Sequence, residues 1–245
     1  MPKQTKIIMG MPITVEIIDS GNDNIFKEIF NYFRAVDQRF SPYKKDSELS
    51  KINKGLDQTK WSNQMKQIME LCQETKELSN GYFDIKNESK LDPSGLVKGW
   101  SIYQASKMLL KANIANFYVE AGGDIEVHGD YINQTGFKIG IRNPFKTDEI
   151  VKTVLLKNKG IATSGTYIRG DHIYNPKQNY KSVREIVSLT VIGPNVYEAD
   201  RFATSAYAMG IDGINFIEKM DGFEGYMINP EGLATYTTNF ERYVL

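Results

Sequence analysis

The stretch Asn116-Phe117-Tyr118-Val119-Glu120-Ala121-Gly122-Gly123-Asp124-Ile125-Glu126-Val127-His128 decides the fold class, because the chain changes texture at Asn116. Phe117 to Val119 and Ile125 to Val127 read as strands, and the glycine pair between them reads as a tight turn or as a floor for a flat ligand. Further strand patterns follow at Phe137 to Ile141, Thr153 to Leu156, Gly160 to Thr163 and Ile186 to Ile192. A helix is expected over Glu198 to Met209, a shorter one near Ile214 to Met220, and closing strands at Tyr226 to Ile228 and Ala234 to Tyr236.

Upstream, the pattern is mainly helical. Lys6 to Ile18 predicts a strand broken near Gly10 and Pro12, and the turn Phe40-Ser41-Pro42-Tyr43 follows a helix that Asn22 or Asp23 can cap. In that helix Ile25, Phe26, Ile29, Phe30 and Phe33 form one apolar face. A second helix fits Asn63 to Ser79, stopped by Asn80-Gly81, and a third runs from Ser94 towards Lys111 with Leu96, Val97, Trp100, Tyr103 and Leu109 inward. Helices early and strands late predict an α+β fold with a mixed or antiparallel sheet core and packed helices, as a single domain over residues 1–245.

Thirty basic residues balance thirty acidic ones, so no net charge draws the chain to nucleic acid or anionic lipid, and an anionic ligand has to be held locally. The one cysteine, Cys72, falls among apolar helix positions and reads as a small buried hydrophobe. The N-terminus carries no secretory or lipid-anchor pattern and no membrane span is evident, which predicts a soluble, cytoplasmic chain.

Four segments can carry chemistry. Asp200 and Thr204, four residues apart on a helix, place two oxygens on one face, a workable geometry for a hard cation such as magnesium. The same spacing also suits a helix-dipole acid and a back-bonding threonine. Asp92-Pro93-Ser94-Gly95 leads small residues into a helix, where N–H groups suit an anion and Lys98 can reach a phosphate or ribose; a capped helix with a solvated lysine is the alternative. Glu120 to Ile125 forms the glycine turn. The fourth segment runs from Gly160 to Pro176, where His172 beside Asp171 has the chemistry of a general base.

In order and wording these segments resemble the ApbE family of FAD:protein FMN transferases, from Met9 to about Gly210. The resemblance rests on Met9-Gly10, Phe40-Ser41-Pro42-Tyr43 with the run to Ser50, Gly81-Tyr82-Phe83-Asp84, Asp92 to Gly99, Ala121 to Asp124, Thr163-Ser164-Gly165, His172-Ile173 with Pro176, and Ala199-Asp200 with Thr204. It implies an ApbE-like α+β core, a magnesium ion held by the Gly95 carbonyl, Asp200 and Thr204, and FAD contacts from Met9, Tyr43, Tyr82, Phe83, Asp84, Asp92, Lys98 and Ile173. It further implies that His172 takes the proton from a threonine or serine hydroxyl of an acceptor flavoprotein, that FMN is joined there by a phosphoester bond, and that AMP leaves. Water in place of the acceptor would make the chain an FAD pyrophosphatase, and loss of the chemistry would leave a flavin-binding protein. Against the family pattern, the segment between Asp84 and Asp92 is short, with Ile85-Lys86-Asn87 after the aspartate, and no export signal is present.

Overall fold

A computed structural model describes residues 1–19, 23–87, 90–166 and 173–245, the side chains of Asp23 and Asn87 excepted. In chain order the elements are β1 (Lys3–Ile8), β2 (Met11–Ile17), α1 (Asp23–Phe40), α2 (Glu48–Ile52), α3 (Asn63–Leu78), β3 (Lys86–Asn87), β4 (Lys90–Leu91) and α4 (Ser94–Lys111). There follow β5 (Phe117–Ala121), β6 (Asp124–His128), β7 (Phe137–Arg142), β8 (Ile150–Leu156), β9 (Lys159–Gly165), β10 (Tyr174–Asn175), β11 (Lys181–Ser182) and β12 (Ser188–Gly193). The chain closes with α5 (Val196–Ala208), α6 (Gly213–Glu218), β13 (Glu224–Ile228) and β14 (Ala234–Tyr236).

Eight strands form one sheet in the order β1-β2-β5-β6-β9-β12-β13-β14, and every neighbouring pair is antiparallel. The architecture is α+β. Apolar residues of α1 and α4 pack on β1, β2 and β5, while those of α5 and α6 pack on β9, β12 and β13. The opposite face is covered by the hairpin β7–β8, whose Phe137, Ile139, Ile141, Val154 and Leu156 meet Ile125, Val127 and Ile161 of the sheet. β6 is therefore buried on both sides: Ile125 and Val127 face the hairpin, and the alternate residues Asp124 and Glu126 face the helices.

One expectation needs correction. Lys6 to Ile18 is a hairpin of two strands, because Met9 and Gly10 turn the backbone through positive φ values of 57° and 73°. The short helix α2, capped by Ser47, was not expected at all. Elsewhere the local chemistry acts as read: Asn80 and Gly81 end α3 with φ of 51° and 83°, and Gly122-Gly123, at 60° and 95°, turn β5 into β6.

Candidate active site

Four pieces of chain meet at one point: the first turns of α4, the middle of α5, the start of β6 and the end of β9. The contact of α4 with α5 depends on Gly99, because a methyl group there would lie 2.5 Å from Asp200 Cβ and 2.7 Å from the Val196 carbonyl oxygen. That closeness lets the Gly99 N–H donate to Asp200 Oδ2 at 2.7 Å. Asp200 Oδ1 faces Lys98 Nζ at 3.6 Å, and the same ammonium sits 2.6 Å from Asp124 Oδ2. Asp124 Oδ1 accepts a bond from the Thr163 N–H at 3.1 Å, which ties the cluster to β9.

The cluster is buried, and among the described residues it holds a single cation. Asp124 is 1% exposed and Asp200 is 3% exposed, with one lysine between two carboxylates. Burial raises the proton affinity of Asp200, Lys98 opposes this, Asp124 adds to it and the Gly99 N–H opposes it again; the net position is well above the usual carboxylate range. Lys98 is thus no solvated lysine, the alternative open in the sequence: its side chain is 14% exposed and ion-paired to both acids.

One turn along α5, the Thr204 hydroxyl donates to the Gly95 carbonyl oxygen at 3.3 Å and lies 3.5 Å from the Ser164 hydroxyl. A Cβ on residue 95 would stand 3.0 Å from Thr204 Cγ2 and 3.5 Å from the Phe83 ring, so a glycine allows this approach. Gly95 and the distant pair Asp200 and Thr204 line one chamber of about 160 Å³. A carbonyl, a hydroxyl and an under-compensated carboxylate form an all-oxygen donor set that fits magnesium, which takes few carboxylates and leaves positions for phosphate and water. Among the described residues no group of three or more His, Cys, Asp and Glu is placed to hold a metal ion.

The residues expected to touch a ligand divide between two neighbouring spaces that share wall residues. Tyr82, Phe83, Asp84 and Ile173 line the chamber, while Met9 and Tyr43 line a cleft of about 1360 Å³; Asp92 and Lys98 line both. Organic ligands generally need roughly 300–1,000 Å³, so the chamber alone suits a fragment and the whole ligand has to extend into the cleft. Asp92 Oδ1 accepts from the Ser94 N–H at 3.0 Å and so braces the start of α4. Tyr43 is 93% exposed at the cleft rim. His172 and Asp171 lie outside the described residues.

Asp84 organises the chamber's far wall. It binds Lys76 Nζ at 2.8 Å, the Lys86 N–H at 2.9 Å and the Tyr180 hydroxyl at 3.2 Å. Burial raises its pKa, but the bonds from Lys76, Lys86 and Tyr180 outweigh that and hold it below the usual value. Lys177 Nζ sits 4.4 Å from the Tyr82 ring centre, and Tyr180 keeps a φ of 55°, an uncommon conformation for a bulky residue.

The ApbE family model matches residues 9–88 and 85–227. The chain belongs to the ApbE family. A FAD:protein FMN transferase of Haemophilus influenzae is 24% identical over 92% of this chain and 87% of its own length. One of Vibrio cholerae is 31% identical over 50% of this chain and 40% of its own. Among solved structures, the flavin transferase ApbE from Vibrio cholerae superposes with a TM-score of 0.86 at 21% identity, covering 99% of this chain and 98% of that one. The ApbE protein of Thermotoga maritima gives 0.86 at 19% identity with the same coverage. The two matched stretches of the ApbE model meet at residues 85–88, where the sequence between Asp84 and Asp92 is short.

Within this ApbE chain several participants had been given no role from sequence. From sequence Asp124 reads as part of a turn, since its partner Lys98 is 26 positions away on another element. Gly99 ended a motif without a stated function. Ser164, Tyr180 and Glu126 had none either. A signal did exist for Asp124 and Glu126: acids at alternate positions of an otherwise apolar strand share one face, and a face of β6 turned to helices is buried.

Proposed function

We propose that the chain is a magnesium-dependent FAD:protein FMN transferase. Its acceptor would be a threonine or serine hydroxyl of a flavoprotein. The observation that carries the reading is the junction of chamber and cleft, where Lys98, Asp124 and Asp200 form a buried charged cluster beside the Gly95–Thr204 oxygen pair. Membership of the ApbE family and its FAD:protein FMN transferase relatives support the same chemistry.

In this reading the acceptor oxygen attacks the phosphorus of the FMN half. The bond from that phosphorus to the bridging oxygen breaks, and AMP leaves with the bridging oxygen. The acceptor proton passes to His172. Lys98, seated between the two acids, presents positive charge towards the pyrophosphate. When held by the Gly95 carbonyl, Asp200 and Thr204, magnesium supplies charge neutralisation and Lewis acidity at the pyrophosphate. The Gly99 N–H fixes one Asp200 oxygen, and Asp124 shares Lys98 with the other. The aromatic rings of Tyr82 and Tyr43 offer stacking surface at either end of a ligand spanning both spaces.

The test is to incubate the purified protein with FAD, magnesium and an acceptor domain bearing a threonine in a flavinylation segment. In-gel flavin fluorescence and an added FMN mass on the acceptor, both lost with EDTA or in Asp200→Ala, are the expected result. Free FMN and AMP without labelled acceptor would replace the transferase with a pyrophosphatase, and intact FAD would remove the enzymatic reading.

A further inference from the structure

We infer that Glu126 is a positioning residue for the reaction: its buried carboxyl fixes the N-terminus of α5 on the sheet and thereby sets where Asp200 and Thr204 stand. This rests on the role of those two residues proposed above.

Glu126 Oε2 accepts the Val196 N–H at 2.6 Å, and Val196 is the first residue of α5. First-turn N–H groups have no partner within their own helix, so an acceptor from elsewhere anchors the helix end in space. The usual cap is also present, since Asn195 Oδ1 takes the Glu198 N–H at 3.0 Å. That bond is local and moves with the helix. The Glu126 bond crosses 70 residues and ties the helix to β6.

The neighbouring strand has been cleared for this contact. Gly160 of β9 pairs with Glu126, and a Cβ on it would fall 1.9 Å from the Val196 nitrogen. The helix end thus rests directly on β9 backbone while β6 supplies the acceptor from the side. Glu126 is 6% exposed, and burial lifts its pKa to about 8 against the bond from Val196 N–H. A carboxyl kept protonated at neutral pH still accepts this bond through its other oxygen.

The register follows from geometry. Two residues along a strand advance about 6.6 Å, and one helical turn advances about 5.4 Å. Glu126 and Asp124 are two residues apart on the buried face of β6, and Val196 and Asp200 are four apart on α5. Glu126 holds Val196, while Asp124 shares Lys98 with Asp200, so the strand acts as a two-point template for one helical turn. Thr204 is a further turn along and meets Gly95. A helix released at Val196 loses the first point and slides relative to α4, which carries Gly95, Lys98 and Gly99.

The experiment compares wild type with Glu126→Gln, Glu126→Asp and Glu126→Leu in FMN transfer from FAD to the acceptor, each with its melting temperature. A second readout, free of turnover, is the rise in melting temperature with magnesium alone. Glu126→Gln keeps an acceptor of the same length and should stay within about threefold of wild type. Glu126→Asp withdraws the acceptor, Glu126→Leu removes it, and both should lower kcat by about 10–100-fold and weaken the magnesium response, with the KM for FAD within about twofold. If Glu126→Leu does not fold, Glu126→Asp carries the comparison. Folded Glu126→Asp with wild-type kcat, or Glu126→Gln as impaired as Glu126→Asp, overturns the inference. Absence of transfer by wild type would instead sink the functional reading beneath it.

Discussion

The backbone of Gly99 and the carboxylate of Asp200 are in direct contact, N–H to Oδ2 at 2.7 Å, across 101 residues of sequence. The contact exists because residue 99 has no side chain: its Cβ would overlap Asp200 Cβ and the Val196 carbonyl. Gly99→Ala should therefore push α4 and α5 apart. The expected cost is about 1–3 kcal/mol in stability, as for an overpacked core, with loss of most FMN transfer. Urea unfolding and turnover on one preparation check it; wild-type activity in Gly99→Ala would mean that the contact has no part in placing Asp200.

Among the described residues Lys98 is the cation that stands between the buried acids Asp124 and Asp200. Lys98→Met should cost more than its own lost contacts, about 3–5 kcal/mol, since it strands buried carboxylates. Adding Asp124→Asn removes one stranded charge and keeps an acceptor for the Thr163 N–H. The double variant should thus regain stability over Lys98→Met and yet remain inactive. Recovery of activity with stability would show Lys98 to be structural alone.

Thr204 separates shape from oxygen. Thr204→Val preserves the branched side chain beside Gly95 but deletes the hydroxyl that bonds the Gly95 carbonyl at 3.3 Å. The expected result is a nearly unchanged melting temperature, at least about a tenfold fall in turnover and a weakened response to magnesium, with activity largely kept in Thr204→Ser. Equal activity in Thr204→Val and wild type would remove the hydroxyl from the site.

The separate pieces of this site are legible in sequence because each is local, whereas their combination rests on the resemblance to the ApbE family. Asp200 and Thr204 share a helix, Gly95 and Lys98 share a helix start, and helical periodicity placed both helices to within a residue or two. What stayed hidden was pairing over distance. The sequence leaves Lys98 between a phosphate or ribose contact and a solvated side chain, and its pairing with Asp124 through β6 is not visible there. The hairpin at Met9 was hidden for a different reason, since methionine is not a turn residue and only Gly10 marks the reversal. The five-residue helix α2 is too short for its apolar positions to repeat.

Glu126 also predicts how stability changes with pH. Its carboxyl is raised from an ordinary 4.5 to about 8 in the folded chain, chiefly by burial. The folded state therefore holds a proton that the unfolded state releases near pH 4.5. The associated stability is fully present below that value and is lost as pH rises through about 8, so unfolding free energy should decline between the two and level off above them. The whole change is at most roughly 5 kcal/mol, and less where water reaches the opened site. Glu126→Gln cannot ionise but keeps the bond to Val196, so its unfolding free energy should fall less steeply with pH. Asp200, raised in the same direction, remains and leaves a residual slope of the same sign. Urea midpoints measured at intervals from pH 6 to 9 decide the matter: a Glu126→Gln curve parallel to wild type would mean that Glu126 is already ionised when the chain is folded at neutral pH.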